Sequence, residues 1–189
     1  MKLTPIKNNI LFKFIDKMDI NGQFIEETSW GLVISGHFDT SAKQPRWVEV
    51  IEVGPECKDV KVGQQALVGA LRWTPHFIAN ESKMWKTDED QIFVLRDTPD
   101  SELIPLRDTI VFTRIDEQVK PGLELVIVGD SEHTPKGEIN IVGPNVSEEL
   151  PVGTVFYFDG ISFLEKFSHK KEMLCFIKQD DVLIYQEAA

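Results

Sequence analysis

The side chains best suited to hold a transition metal are four histidines, His37, His76, His133 and His169, and two cysteines, Cys57 and Cys175. Zinc sites draw their ligands at short, recognisable spacings, and none of these six residues sits at such a spacing to another. No metal or other cofactor is expected. Asp88, Glu89 and Asp90 bring together three carboxylates, the groups used in general acid–base catalysis, but a run of acids in a polar stretch reads as a solvated turn. Neither a phosphate-cradling glycine loop nor a Gly-x-Ser-x-Gly elbow is present. The chain is therefore expected not to be an enzyme. The residues that invite a function are apolar: Leu32, Val33 and Ile34, set between Gly31 and Ser35-Gly36. They sit in a stretch of about residues 19–46 whose other residues are mostly polar, with Gly22, Ser41 and Pro45 among them. A connection of that length in a compact domain is functional or disordered, and bare aliphatic side chains on it want a partner to bury them. The other reading of Gly31 to Gly36 is an ordinary buried strand.

Strands must position this segment. Ile10, Phe12 and Phe14 alternate with Leu11 and Lys13, a period-2 pattern of β-formers. Val48 to Val53 alternates in its first half and then runs apolar, Gly153 to Gly160 reads as a strand bracketed by glycines, and no stretch keeps a 3.6-residue apolar period. The pattern also recurs. Residues 3–16, LTPIKNNILFKFID, and 103–116, LIPLRDTIVFTRID, share Leu, Pro, Ile, Phe, Ile and Asp at an offset of 100. Val53-Gly54-Pro55 followed by Val62-Gly63 matches Val142-Gly143-Pro144 followed by Val152-Gly153, and 88–95 matches 179–185. Ordered repetition marks a duplicated unit. The joint is placed at the polar, turn-rich Asp97 to Ser101. The expected fold is all-β: two tandem small β-barrels, residues 1–98 and 99–189.

Composition bounds the partners. The net charge of −11 is uneven, −2 over residues 1–98 and −9 over 99–189. Nucleic acid needs a basic face, so it is not expected. No apolar run reaches the 18 or so residues of a membrane span. Two lone cysteines and no apolar leader fit a reducing cytoplasm, with a single disulfide as the weaker reading. Trp73 and Trp85 are expected in the core or at a domain interface. Phe156, Tyr157, Phe158, Phe163 and Phe167 make the second half aromatic, as core or as an apolar contact surface.

The landmarks, in this order, resemble the GroES-type ten-kilodalton co-chaperonin family. Pro5 to Phe12 and Pro105 to Phe112 look like its proline-led opening strand. Gly31-Leu32-Val33-Ile34-Ser35-Gly36 is similar to the core of its mobile loop. Val53-Gly54, Val60-Lys61-Val62-Gly63-Gln64 and Asp181 to Ala188 are similar to its later strands. The resemblance covers nearly the whole chain, twice. It departs in lacking room for the roof hairpin in either half, as some viral co-chaperonins do, and in the duplication itself. A bacteriophage origin is one expectation from this.

The resemblance implies a co-chaperonin that caps a GroEL-type chaperonin ring, encloses unfolded substrate protein, and leaves ATP binding to the partner. It implies docking through Gly31, Leu32, Val33, Ile34, Ser35 and Gly36, and a homo-oligomeric ring, most simply a heptamer. Burying three aliphatic side chains is worth roughly 5–8 kcal/mol, and ordering the tether costs a comparable amount at about 1–2 kcal/mol per residue. One loop then binds weakly and several on one ring bind tightly. In the second repeat Leu125, Val126, Ile127, Val128 and Gly129 form either a second docking loop or a packed strand. The competing class is a structural viral-particle protein reusing duplicated barrels.

Overall fold

The computed structural model describes residues 3–16, 18, 24–27, 33–35, 44–79, 81–115, 135–159 and 165–186. The regular structure of the described residues is nearly all strand: β1 (Asn9–Phe14), β2 (Ile25–Glu27), β3 (Val33–Ser35), β4 (Arg46–Val53), β5 (Gln65–Val68), β6 (Phe77–Ala79), β7 (Ser82–Asp88), β8 (Ile92–Arg96), β9 (Ile104–Pro105), β10 (Thr109–Ile115), β11 (Lys136–Val142), β12 (Val155–Phe158), β13 (Glu165–His169), β14 (Glu172–Lys178) and β15 (Val182–Gln186). Short 3-10 turns at Glu89–Gln91 and Gln179–Asp181 precede β8 and β15.

They form two large antiparallel sheets, β6-β7-β1-β4-β5-β8-β9 and β13-β14-β10-β11-β12-β15, and a two-stranded hairpin, β2-β3. The sequence repeat is also a repeat of pairing. Ile10 opposes Val53 as Ile110 opposes Val142, and both ladders slip at the same place, between Leu11 and Phe12 and between Val111 and Phe112. A bulge adds one unpaired residue and turns the strand, so both copies bend alike. A second matched slip falls between Leu67 and Val68 in β5 and between Tyr157 and Phe158 in β12. Before β1 and β10 the chain turns through Lys7 and Arg107, at φ 53° and 52°. Gly54 and Gly143 pass so close to these turns that a Cβ on either would overlap the carbonyl of Lys7 or Arg107. Glycine is required at both points for the same reason. No strand interrupts the runs from β4 to β5 or from β11 to β12.

Each sheet has its own apolar cluster. The first gathers Ile10, Phe12, Val48, Val50, Ala66, Val68, Ile92 and Leu95, the second Ile110, Phe112, Ile139, Phe156, Phe158 and Ile177. A third cluster joins them: Trp47, Leu67, Phe93 and Val94 of the first sheet meet Val111, Phe167, Leu174 and Phe176 of the second. Phe93 stacks on Phe176 with centroids 4.6 Å apart. The turn at 97–101 is tied by Ser101 Oγ, which accepts from the N–H of Asp97 and of Thr98, both at 3.0 Å. Beyond that turn the chain still belongs to the first sheet. β9 pairs with β8, and Leu106, 6% exposed, enters the first cluster.

Candidate functional site

The segment of interest leaves the first sheet after β1. Phe14 ends that strand and meets four rings edge-on: Phe12 at 5.2 Å, Phe24 at 4.8 Å, Trp73 at 5.2 Å and Trp85 at 4.8 Å. Edge-to-face pairs at such distances add about 0.5–1.5 kcal/mol each beyond area burial. Phe24, 7% exposed, is bridged to Met18 and immediately precedes β2. It is the residue by which the hairpin is rooted in the sheet. The Arg46 guanidinium lies over its ring at 4.2 Å and donates to Asp16 Oδ2 at 3.3 Å. A cation over a ring and a carboxylate beside the cation clamp the root from the β4 side.

From this root the hairpin presents its second strand. Ile25, Glu26 and Glu27 oppose Ser35, Ile34 and Val33. Of the six residues expected to dock a partner, Val33, Ile34 and Ser35 are therefore in a paired strand, and Gly31, Leu32 and Gly36 lie outside the described residues. Leu125 to Gly129 of the second repeat lie outside them too. Among the described residues, two positions of the aromatic root are changed in the second sheet. Arg114 stands where Phe14 does, and Cys175 opposes Phe112 where Trp85 opposes Phe12. Its rings fill the core instead, with Phe112 4.9 Å from Phe156 and 5.3 Å from Phe158. Trp73 and Trp85 pack against the first cluster, while Phe167 lies at the joint between sheets. Phe163 and Trp30 lie outside the described residues.

Sequence reasoning missed Phe24, Arg46 and Asp16, because no local pattern tells a root aromatic from a loop aromatic. It also misjudged one acid. Glu89 is not a solvated turn residue but 6% exposed. Its carboxylate accepts from three consecutive backbone N–H groups, Lys58, Asp59 and Val60, at 2.8–3.0 Å. This ties the β4–β5 connection to the start of β8. Gln179 takes the same place in the second repeat, its Oε1 accepting from Ser147 N–H at 2.6 Å. The role of Glu89 is structural.

Neither Cys57 nor Cys175 forms a disulfide, and burial pushes the Cys57 thiol upward. Burial also lowers the His169 imidazole, assisted by the Arg96 charge. Among the described residues no group of three or more His, Cys, Asp or Glu is placed to hold a metal ion, and no helix is long and apolar enough to cross a membrane. The arrangement offers a short hairpin, rooted in aromatics, whose second strand includes the branched aliphatic residues Val33 and Ile34. No family model matches the chain, and no curated protein matches it.

Proposed function

We propose that the chain is a co-chaperonin, a cap that docks on a chaperonin ring through the segment around Leu32, Val33 and Ile34 and closes a chamber over substrate protein. The observation that supports this most is the aromatic root. Phe14, Phe24, Trp73 and Trp85 fix the base of a hairpin whose second strand carries Val33 and Ile34. A rooted base limits the directions in which the anchor can be presented, which lowers the ordering cost of docking. In the second repeat Arg114 and Cys175 stand in place of Phe14 and Trp85, so the first repeat is read as the docking one and the second as the wall of the cap. The ordered resemblance of both repeats to the GroES-type family supports the same reading. On it the chain forms a ring, most simply of seven copies, and hydrolyses nothing itself.

The test is co-purification with a GroEL-type chaperonin, with and without ATP, followed by imaging of the complex. Ile34→Asp is expected to abolish co-purification and any effect on the chaperonin's ATPase while leaving the circular dichroism spectrum unchanged. Retention of the folded Ile34→Asp variant at wild-type levels would end the docking role of this segment. Self-assembly with no chaperonin contact in the wild type would favour a structural particle protein.

A further inference from the structure

In a chain of net charge −11, one hollow carries more cations than acids. It holds about 400 Å³ and lies where the two sheets meet. One side belongs to β4 and β8 of the first sheet, through Arg46, Trp47 and Arg96, all buried. The other belongs to β13 and β14 of the second, through Lys166, Phe167, Ser168 and Met173. Asp16 is the one acid among the lining residues. Neither sheet makes this hollow alone.

Arg46 and Asp16 answer each other, the guanidinium donating to Oδ2 at 3.3 Å. That leaves two cations, Arg96 and Lys166. Arg96 is only 6% exposed. Its guanidinium lies over the Trp47 ring, 3.7 Å from the centroid, and its Nε donates to Gln65 Oε1 at 2.8 Å. A ring and an amide thus hold the guanidinium in place. Among the described residues nothing accepts from its Nη1 or Nη2, and neither atom is sealed from solvent. These are the donors that a ligand in the hollow can reach. Burial pulls this guanidinium below its ordinary value, against the opposing charges of Asp16 and Asp100, so a further anion beside it favours the charged form. Trp47 adds a second observation. Its Nε1 is a buried donor with no acceptor among the described residues, a state that native proteins seldom leave without an ion or a water to relieve it.

We propose that this hollow binds a phosphate group, free or as the head of a small phosphate monoester, held by Arg96 and met at the rim by Lys166. The guanidinium fork matches phosphate oxygens, and the ammonium acts as a point charge. Two uncommitted cations suit the nearly double negative charge of a phosphate monoester at neutral pH, whereas a single carboxylate leaves one of them unmatched. A hollow of this volume is in the size class of small organic ligands. Phe167 and Met173 give the organic part of a monoester an apolar surface. Because the ligand touches both sheets, it strengthens the joint between repeats by mass action. The inference goes beyond the capping reading and stands or falls without it.

The test uses the full chain in a phosphate-free buffer of low ionic strength. Inorganic phosphate, glucose 6-phosphate, adenosine monophosphate and, as a carboxylate control, citrate are titrated by calorimetry and in thermal melts. The phosphate probes are expected to bind one per chain, to raise the melting temperature, and to bind more weakly as salt is added. Lys166→Glu changes an exposed side chain, so its circular dichroism spectrum is expected to stay that of the wild type. Its affinity for phosphate is expected to fall about tenfold or more, the scale on which one charge-assisted contact acts. Arg96→Lys keeps the charge, loses the fork, and is expected to weaken binding as well. A monoester that binds more tightly than inorganic phosphate identifies the ligand as an ester, and the reverse order identifies free phosphate; either order supports the site. No binding of any phosphate probe into the millimolar range overturns the proposal. So does citrate binding as tightly as the phosphates, or a folded Lys166→Glu variant with wild-type affinity. If Arg96→Lys fails to fold, Lys166→Glu decides the question alone.

Discussion

Replacing Glu89 by alanine strips the acceptor from three buried or half-buried backbone N–H groups at once. A buried donor left without a partner is penalised by about 1–3 kcal/mol, so Glu89→Ala is expected to lower stability by about 3 kcal/mol in urea titration. Glu89→Gln places there the side chain that position 179 already uses. It is expected to lose about 1 kcal/mol, since hydrogen bonds to charged groups exceed neutral ones by roughly that amount. This acid shows where residue-level reading stops. Three acids in a polar run look solvated, and only the return of the β4–β5 connection, some 30 residues earlier, reveals that one of them is enclosed. The recurrence of DEDQ as QDD was visible, but a repeated turn does not say which side chain points inward. The root residues Phe24 and Arg46 were hidden for a similar reason, since what distinguishes them is a contact with Phe14 and Asp16 across the sheet.

At the scale of elements, the two sheets show how one ladder accommodates two cores. Val48 opposes Ala66 in the first, and at the same register Gly137 opposes Phe156 in the second. The missing volume at 137 is taken by Phe112, whose ring a Cβ on Gly137 would overlap. Gly137→Val is thus expected to cost about 1–3 kcal/mol through overpacking, measured by thermal or urea unfolding. The pair Gly137→Val with Phe156→Ala restores the arrangement of the first sheet and is expected to recover part of that loss. Strand existence was legible in advance because Ile10, Phe12 and Phe14 alternate and because the motif returns 100 residues later. Strand partnership was less so. Nothing near Ile104 announces that it pairs with Leu95 of the preceding repeat, since the chain between them is a polar turn that reads equally well as a break.

At the scale of the whole molecule, the joint between sheets contains a pH-sensitive contact. Glu165, at the start of β13, accepts from the Ala70 N–H beyond β5 at 2.9 Å. Burial raises its carboxyl above the ordinary range, opposed by that hydrogen bond and by the Arg72 charge. The folded state therefore holds the proton more tightly than the unfolded chain does. Stability from this site is present below the unfolded-state value and is lost as pH rises through the raised one. Glu165→Gln keeps an acceptor without the charge. It is expected to match the wild type in acid and to unfold at a higher temperature near neutrality, in a series of melts across that range. The joint has a second consequence, for the order of events on the ribosome. β8 is sealed by β9 and Leu106, which are made after it. When Arg96 has been added, the first sheet lacks only β9 and is open along one side. About ten further residues, on the order of a second at roughly 5–20 residues per second, must be synthesised and clear the exit tunnel before that side closes. The first repeat thus finishes folding on residues encoded by the second, and a translational pause placed so that β8 has left the tunnel while Ile104 to Leu106 are still inside it should prolong the life of a nascent chain that is sticky along β8.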